Sequence, residues 1–122
     1  MTLDVSTLRQ TWPRPSRPRP IVIIGAGGIV RDAHLPAYRK ANFPVAGIYD
    51  LNPAAAEKRV AEFNLPRAFR SIEEAAAVPD AIFDVATPPG AHESVLEQLP
   101  DESVVVIQKP MGRDLEGARR IR

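Results

Sequence analysis

Cysteine is absent from this sequence, so disulfides, thiolate catalysis and cysteine-built metal sites are all excluded. Histidine is scarce: His34 and His92 are the only two, too few for a histidine-built metal centre. Long apolar runs are also missing, because no aliphatic stretch, such as Ile21–Ile24 or Val104–Ile107, exceeds four residues. A membrane span needs about 20 apolar residues. The sequence therefore predicts a cytoplasmic protein with no metal and no membrane partner.

A basic surface is lacking outside the first nineteen residues. Residues 1–19 carry four arginines against Asp4, whereas the rest of the chain carries 12 basic and 14 acidic side chains. The main part of the chain is therefore slightly acidic and predicts no nucleic-acid partner. Proline occupies four of the eight positions 13–20. We expect 1–19 to be a disordered leader; the alternative is a ligand for a proline-binding module or an anionic surface.

From Pro20 onward, short apolar runs alternate with stretches of helical periodicity. Asn52 followed by Pro53, Ser71 and Asp114 are typical helix starts. Alternation with short connections is typical of a parallel sheet covered by helices on both faces. The sequence therefore predicts an α/β fold over 20–122, a doubly wound parallel sheet (Rossmann fold) of about five to six strands. The predicted strands are 21–24, 45–49, 67–69, 81–86 and 103–107.

Ligands of such a sheet bind at the carboxyl ends of its strands, where the strand order reverses. The first strand ends in a glycine turn, in which Gly25 permits a tight exit and Gly27 lets backbone N–H groups approach a pyrophosphate. Val30 stands where glycine or alanine would pack the helix closer. A tight strand–helix turn without a ligand would also prefer glycine, so the turn alone is weak evidence.

Asp50 strengthens the interpretation, because it follows the second strand 25 residues after Gly25. An acidic side chain there accepts hydrogen bonds from the adenosine ribose. It would repel the 2′-phosphate of NADP, and neither Leu51 nor Asn52 offers a positive charge. We therefore expect NAD rather than NADP; the alternative is a solvated loop aspartate.

Lys109 follows the last predicted strand, and Pro110 restricts its backbone to extended conformations. A lysine held in a cofactor crevice can bond a substrate hydroxyl, stabilise a developing alkoxide or exchange a proton with it. The alternative is an ordinary surface lysine.

Four motifs together resemble the N-terminal domain of the glucose–fructose oxidoreductase/inositol dehydrogenase (Gfo/Idh/MocA) family. Each motif is modest, but they occur in the family's order and spacing, and the resemblance covers roughly residues 20–122. The matching segments are Ile24-Gly-Ala-Gly-Gly-Ile29, Tyr49-Asp-Leu-Asn-Pro53, Thr87-Pro-Pro-Gly-Ala-His92 and Gln108-Lys-Pro-Met111.

The resemblance implies that Gly25, Gly27 and the backbone of Gly28 and Ile29 hold the pyrophosphate of the cofactor. It likewise implies that Asp50 binds the adenosine ribose. These residues are the predicted cofactor contacts of the first half of the site.

For the second half, the resemblance implies that Thr87 and Pro88 line the nicotinamide side. His92 would stand beside the cofactor, or alternatively be satisfied by nearby backbone. Lys109 matches the lysine of the family's Glu-Lys-Pro motif, which contacts cofactor and substrate and assists proton transfer. Gln108 replaces the motif's glutamate and can still bond a ribose hydroxyl. His34, Tyr38 and Trp12 receive no functional role.

Family members continue into a second α/β domain, which supplies most substrate contacts and usually an Asp-x-x-x-His motif. We therefore expect the chain to be a fragment truncated in its last helix, binding cofactor weakly and inactive alone. The resemblance implies hydride transfer between NAD and a sugar, inositol or related polyol, in a full-length homo-oligomer. One alternative is a non-catalytic dinucleotide-binding module, a redox sensor or partner subunit. Another Rossmann user, such as a methyltransferase, fits the Gln-Lys-Pro segment less well.

Overall fold

Four parallel strands form the centre of the structure, a computed structural model that describes residue 2, residues 4–9 and residues 11–122. The strands are β1 (Ile21–Ile24), β2 (Val45–Tyr49), β3 (Ile82–Val85) and β4 (Val104–Ile107). Their order across the sheet is β2-β1-β3-β4, and every pairing is parallel. The strand order therefore reverses at β1, which confirms the predicted doubly wound α/β class.

The number of strands is lower than the predicted five to six, because 67–69 forms only an isolated bridge between Ala68 and Ile48. Phe69 N–H donates to the Ile48 carbonyl at 2.8 Å, and the chain then turns into a helix capped by Ser71. The segment runs very close to β2: a Cβ on Gly47 would lie 2.7 Å from the Arg67 carbonyl oxygen. A strand-like pattern between two helices thus contributes one contact instead of a full strand.

Helices connect the strands much as predicted. Side-chain oxygens of Asn52, Ser71 and Asp114 accept hydrogen bonds from backbone N–H groups in the first turns, which confirms all three predicted caps. A 3-10 turn at Pro89–Ala91 precedes the fourth helix. The first helix begins with a π-helical turn, Val30–His34. The α-helices are α1 (Leu35–Ala41), α2 (Pro53–Phe63), α3 (Ile72–Ala76), α4 (His92–Leu96) and α5 (Leu115–Ile121).

The two faces of the sheet bury separate apolar clusters. Val22 and Phe83 point to the face covered by α3 and α4. Ile21 and Ile23 point to the opposite face, covered by the π-helical turn, α1 and α2. Asp84 also lies on this second face, in register with Ile23, and is fully buried. A carboxylate in the middle of a buried parallel strand needs polar partners.

The described residues up to position 18 are exposed, and they include a 3-10 turn, Val5–Thr7, capped by Asp4. Arg14 donates to the Ala41 carbonyl, and Arg19 forms an ion pair with Asp80 at 2.9 Å. The predicted disordered leader, 1–19, remains a prediction; its positions 1, 3 and 10 lie outside the described residues. Among the residues that are described, no helix is long and apolar enough to cross a membrane, and no acidic or histidine cluster could hold a metal.

Candidate functional site

The four strands end side by side. Ile24 pairs with Tyr49 and with Val85, and Val85 pairs with Ile107. The hydrogen bonding continues one residue further, so the segments that leave the sheet stay adjacent. The continuing bonds run from Gly25 N–H to the Tyr49 carbonyl, from Ala86 N–H to Ile24 and from Gln108 N–H to Val85.

A cavity of about 580 Å³ lies over this edge of the sheet. Its other walls are mostly apolar and include Leu51, Ile72 and Val95, of which Ile72 and Val95 lie outside the four motifs. A concave, mostly apolar site with a few polar groups is the usual form of a small-molecule site. The predicted site residues that line it are Gly25, Gly27, Ile29, Asp50, Thr87, Pro88 and Gln108.

The glycine turn is held firmly at its start. Gly25 has φ +113°, and a Cβ there would lie 2.5 Å from the Ala86 carbonyl oxygen, so only glycine fits. Ala26 is fixed on both sides: its N–H donates to Asp50 Oδ2 at 2.8 Å, and its carbonyl accepts from Arg59 Nε at 3.1 Å. Because the two polar groups of a trans peptide point in opposite directions, the Gly27 N–H points away from Arg59.

Arg59 is a functional candidate that sequence reasoning missed. Its side chain comes from α2 and is only 7% exposed. Glu62 pairs with it at 2.6 Å and is itself partly exposed. A buried guanidinium behind the glycine turn adds positive potential where the start of the first helix already favours an anion. Helical spacing could have identified it, because Arg59 lies on the same face of α2 as the apolar Ala56 and Phe63.

Asp50 connects the ends of β1 and β2. Its Oδ2 accepts from Ala26 N–H and its Oδ1 accepts from Asn52 N–H, both at 2.8 Å. Each carboxylate oxygen has a second acceptor site. Asp50 can therefore hold the glycine turn and still accept hydrogen bonds from hydroxyl groups in the cavity.

Thr87 has a hydroxyl without a partner. Its Oγ1 and Asp84 Oδ1 are the two buried side-chain polar atoms that lack a hydrogen bond within the described part of the chain. Because Thr87 lines the cavity, a polar group of a bound ligand could satisfy its Oγ1. The unpaired hydroxyl and the Asp50 carboxylate fit the amide- and hydroxyl-bearing halves of a dinucleotide.

His92 lies behind the site instead of in it. The ring is fully buried, with Nδ1 3.0 Å from the Met111 carbonyl oxygen and Nε2 2.9 Å from that of Thr87. This geometry favours the alternative in which nearby backbone satisfies the ring, because both ring nitrogens face backbone carbonyl oxygens; direct cofactor contact stays a prediction. His92 ties the loop after β3 to the turn after β4.

Gly28 and Lys109 do not line the cavity either, although Gly28 belongs to the turn that does. Lys109 is exposed, directly follows Gln108, and is joined to Pro110 by a cis peptide bond. Its neighbour Gln108 contributes to the cavity wall, so Lys109 leaves the sheet beside the cavity.

A buried polar network reaches the site from the opposite side. His34 Nδ1 and the Tyr38 hydroxyl both lie 2.7 Å from Asp84 Oδ2, and His34 Nε2 lies 3.2 Å from Gln108 Oε1. Burial, together with the hydrogen bond to Asp84 and the negative charge there, raises the pKa of Tyr38. Sequence analysis gave His34 and Tyr38 no role. The signal that could have found them was Asp84, a carboxylate inside a buried strand.

Comparison with known proteins agrees with this arrangement. Residues 19–122 match the Gfo/Idh/MocA family, described as an oxidoreductase family with an NAD-binding Rossmann fold. The glucose-6-phosphate 3-dehydrogenase of Bacillus subtilis (strain 168) is 37% identical over 100 residues, which are 80% of this chain and 28% of that protein.

Solved structures show the same similarity. The myo-inositol dehydrogenase of Lactobacillus casei, in complex with NAD(H) and myo-inositol, has 28% identity and a TM-score of 0.76 over 86% of this chain and 32% of its own. The UDP-N-acetylglucosamine 3-dehydrogenase of Acidithiobacillus ferrooxidans has 29% identity and a TM-score of 0.73 over 86% and 34%. This chain thus spans about a third of the length of these relatives. The family match over residues 19–122 and the site geometry lead to one conclusion: the chain belongs to the Gfo/Idh/MocA oxidoreductase family and carries its NAD-binding Rossmann fold.

Proposed function

We propose that this chain is the cofactor-binding part of an NAD-dependent oxidoreductase that interconverts a CH–OH group and a carbonyl in a sugar, inositol or related polyol. The observation that carries the proposal is the Asp50 carboxylate, bonded to the glycine turn at the point where the strand order reverses. The similar proteins named above are sugar and inositol dehydrogenases, so a non-catalytic binding module is not favoured.

The adenosine half of the cofactor is proposed to lie along β1 and β2. The N–H groups of Gly27, Gly28 and Ile29 would hold the diphosphate, with the buried cation of Arg59 behind them. Asp50 would accept from the ribose hydroxyls, and its charge would exclude a 2′-phosphate. NAD is therefore preferred over NADP.

The nicotinamide half is proposed to lie at the ends of β3 and β4. Thr87, Pro88 and Gln108 would line it, and the unpaired Thr87 hydroxyl would bond a polar group of the cofactor. Bound NAD supplies the hydride carrier for the reaction. Lys109 would then donate a hydrogen bond to the oxygen on the reacting carbon, stabilising it as negative charge develops.

The substrate is proposed to be a polyhydroxylated ring, since the relatives named above act on a sugar phosphate, a nucleotide sugar or an inositol according to their names. Most substrate contacts are proposed to come from a part of the protein that this chain does not contain. For the whole protein we also propose a homo-oligomeric, cytoplasmic enzyme.

The proposal is tested by titrating the 122-residue chain with NADH and with NADPH, following cofactor fluorescence. We expect NADH to bind at least about tenfold more tightly, because a carboxylate facing a phosphate costs on the order of 1–2 kcal/mol. The Asp50→Asn variant should bind NADH more weakly and discriminate less between NADH and NADPH. A matched control is Asp101→Asn, which removes an exposed charge just before β4, at the amino ends of the strands and away from the site. Absence of NADH binding, or competition by S-adenosylmethionine, would contradict the proposal.

A further inference from the structure

We infer that His34 is a positioning residue that fixes the side-chain amide of Gln108 in the cofactor site, a role that rests on the proposed function. His34 stands on the π-helical turn after the glycine turn, 74 residues from Gln108 in sequence. It belongs to none of the four motifs by which the family was identified. Two hydrogen bonds of its ring link Gln108 to the buried carboxylate of Asp84.

Asp84 determines which nitrogen of the His34 ring donates a hydrogen bond. Asp84 is fully buried, and its Oδ2 lies 2.7 Å from both the Tyr38 hydroxyl and His34 Nδ1. A carboxylate oxygen accepts hydrogen bonds, so Nδ1 must carry the proton that it donates. Asp84 thereby fixes both the orientation of the imidazole ring and the character of one of its nitrogens.

The other ring nitrogen, His34 Nε2, contacts the Gln108 side-chain amide at 3.2 Å. The two ends of an amide are unlike, since the oxygen accepts and the NH₂ group donates. Whichever end matches Nε2 is held there, and the other end is left for the cavity that Gln108 lines. Because the His34 side chain is largely covered and its Nδ1 is bonded to Asp84, Nε2 stays directed at the amide and holds it in one orientation.

The consequence concerns the glutamine itself. A glutamate at this position would present equivalent oxygens, whereas a free glutamine has two unlike ends and three rotatable bonds. Holding a side chain before the ligand arrives removes part of the ordering cost of binding. His34 therefore supplies what the replacement of glutamate by glutamine would otherwise lose, a defined polar group facing the cofactor.

The test uses the 122-residue chain and removes the hydrogen bond of His34 to Gln108 while keeping the one to Asp84. In His34→Asn, the amide nitrogen lies as many bonds from Cα as Nδ1 does, so it can still bond Asp84 but is too short to reach Gln108. We expect NADH to bind this variant about threefold to tenfold more weakly, the effect of one hydrogen bond. Gln108→Ala should weaken NADH binding by about tenfold.

The double variant His34→Asn/Gln108→Ala gives the decisive comparison. If His34 acts through Gln108, the double variant binds NADH as Gln108→Ala does, because the second change has nothing left to remove. Multiplied effects of the two single changes would overturn the inference, as would wild-type affinity in His34→Asn.

Two controls distinguish positioning from a general loss of structure. AMP lacks the nicotinamide half, so its affinity should be unchanged in His34→Asn, while a damaged fold would weaken both ligands. Tyr38→Phe removes the other bond to Asp84 Oδ2 and leaves His34 and Gln108 in place. It should lower the unfolding midpoint without changing the ratio of NADH to AMP affinity.

If His34→Asn does not fold, NMR of the wild-type His34 ring nitrogens keeps the inference testable. NADH should shift the Nε2 resonance in the wild type and leave it in place in Gln108→Ala; an equal shift in both would overturn the inference. Failure of the proposed function looks different, because the wild-type chain would then bind neither NADH nor AMP.

Discussion

The two halves of the site are held in different ways. The half at β1 and β2 is fixed mainly by one side chain at the strand ends, since Asp50 accepts hydrogen bonds from the backbone N–H groups of Ala26 and Asn52. The half at β3 and β4 depends on two histidines from helices packed on the sheet, the partly buried His34 and the fully buried His92. The ends of adjacent parallel strands can be recognised in sequence by the turn and the acidic residue that follow them, whereas supports from helices packed on the sheet cannot.

The largest effect is expected at the start of the glycine turn. Gly25→Ala places a methyl group 2.5 Å from the Ala86 carbonyl oxygen in a backbone with φ +113°, so we expect a loss of about 3 kcal/mol or more in the free energy of unfolding. Urea unfolding measures it. Gly27→Ala is the matched control, because a Cβ there has no neighbour within 4 Å. It should keep stability within about 1 kcal/mol while obstructing NADH. Equal stability of the two variants would contradict this account of the turn.

A smaller effect is expected at Arg59, which supports the first half from α2. Arg59→Met leaves the Ala26 carbonyl without its side-chain partner and removes the buried cation. We expect NADH and ADP-ribose to bind about tenfold more weakly, the effect of a hydrogen bond to a charged group.

The control for that prediction is Glu62→Gln, which keeps the guanidinium and its bond to Ala26 but removes the paired charge. Adenosine, which lacks the diphosphate, should bind the wild type and Arg59→Met alike. A comparable loss for adenosine would mean that Arg59 supports the fold of the site as a whole, not the diphosphate.

The smallest effect is expected in the second half, at Tyr38. Tyr38→Phe removes a hydrogen bond to Asp84 and should cost about 1 kcal/mol in the free energy of unfolding near neutral pH. Because burial and Asp84 raise the pKa of folded Tyr38 above its ordinary value of 10.0, the hydroxyl contributes its full stabilisation below pH 10. Above that pH the unfolded tyrosine ionises first, so the wild type loses at most about 1.4 kcal/mol per pH unit relative to the variant.

Urea unfolding of the wild type and Tyr38→Phe at pH 8, 10 and 11 checks this sign. Taking the difference between the two proteins removes the contribution of every other titrating group. A gap that stays constant up to pH 11 would show that the Tyr38 hydroxyl ionises equally easily in the folded and unfolded chain.

The comparison also explains which features could be predicted from sequence. The strands, the caps at Asn52 and Ser71 and the clustering of Gly25 with Asp50 were predictable, because each depends on a local pattern or on the rule for parallel sheets. The segment 67–69 resembles a strand in composition, but the cap at Ser71 starts a helix before pairing can extend. Local pattern could not show that outcome.

The polar network was beyond a reading of local patterns. His34 lies 50 residues from Asp84 and 74 from Gln108, and the contacts exist only after the sheet and the first helix have packed. His92 has the same limitation, because its partner at Met111 is 19 residues away, on the next strand–helix connection. Residue type and position allowed either a cofactor contact or a backbone bond for His92, and its burial in the structure favours the backbone bond.

The double hold on Ala26 has a consequence for the rate of binding. Its N–H and carbonyl are both engaged by groups of the protein, so this part of the turn has its final geometry before any ligand arrives. No slow rearrangement of this backbone has to precede the encounter, and little backbone entropy is left to lose there. The first half of the site can therefore capture a dinucleotide at a rate set by diffusion and orientation instead of by loop closure.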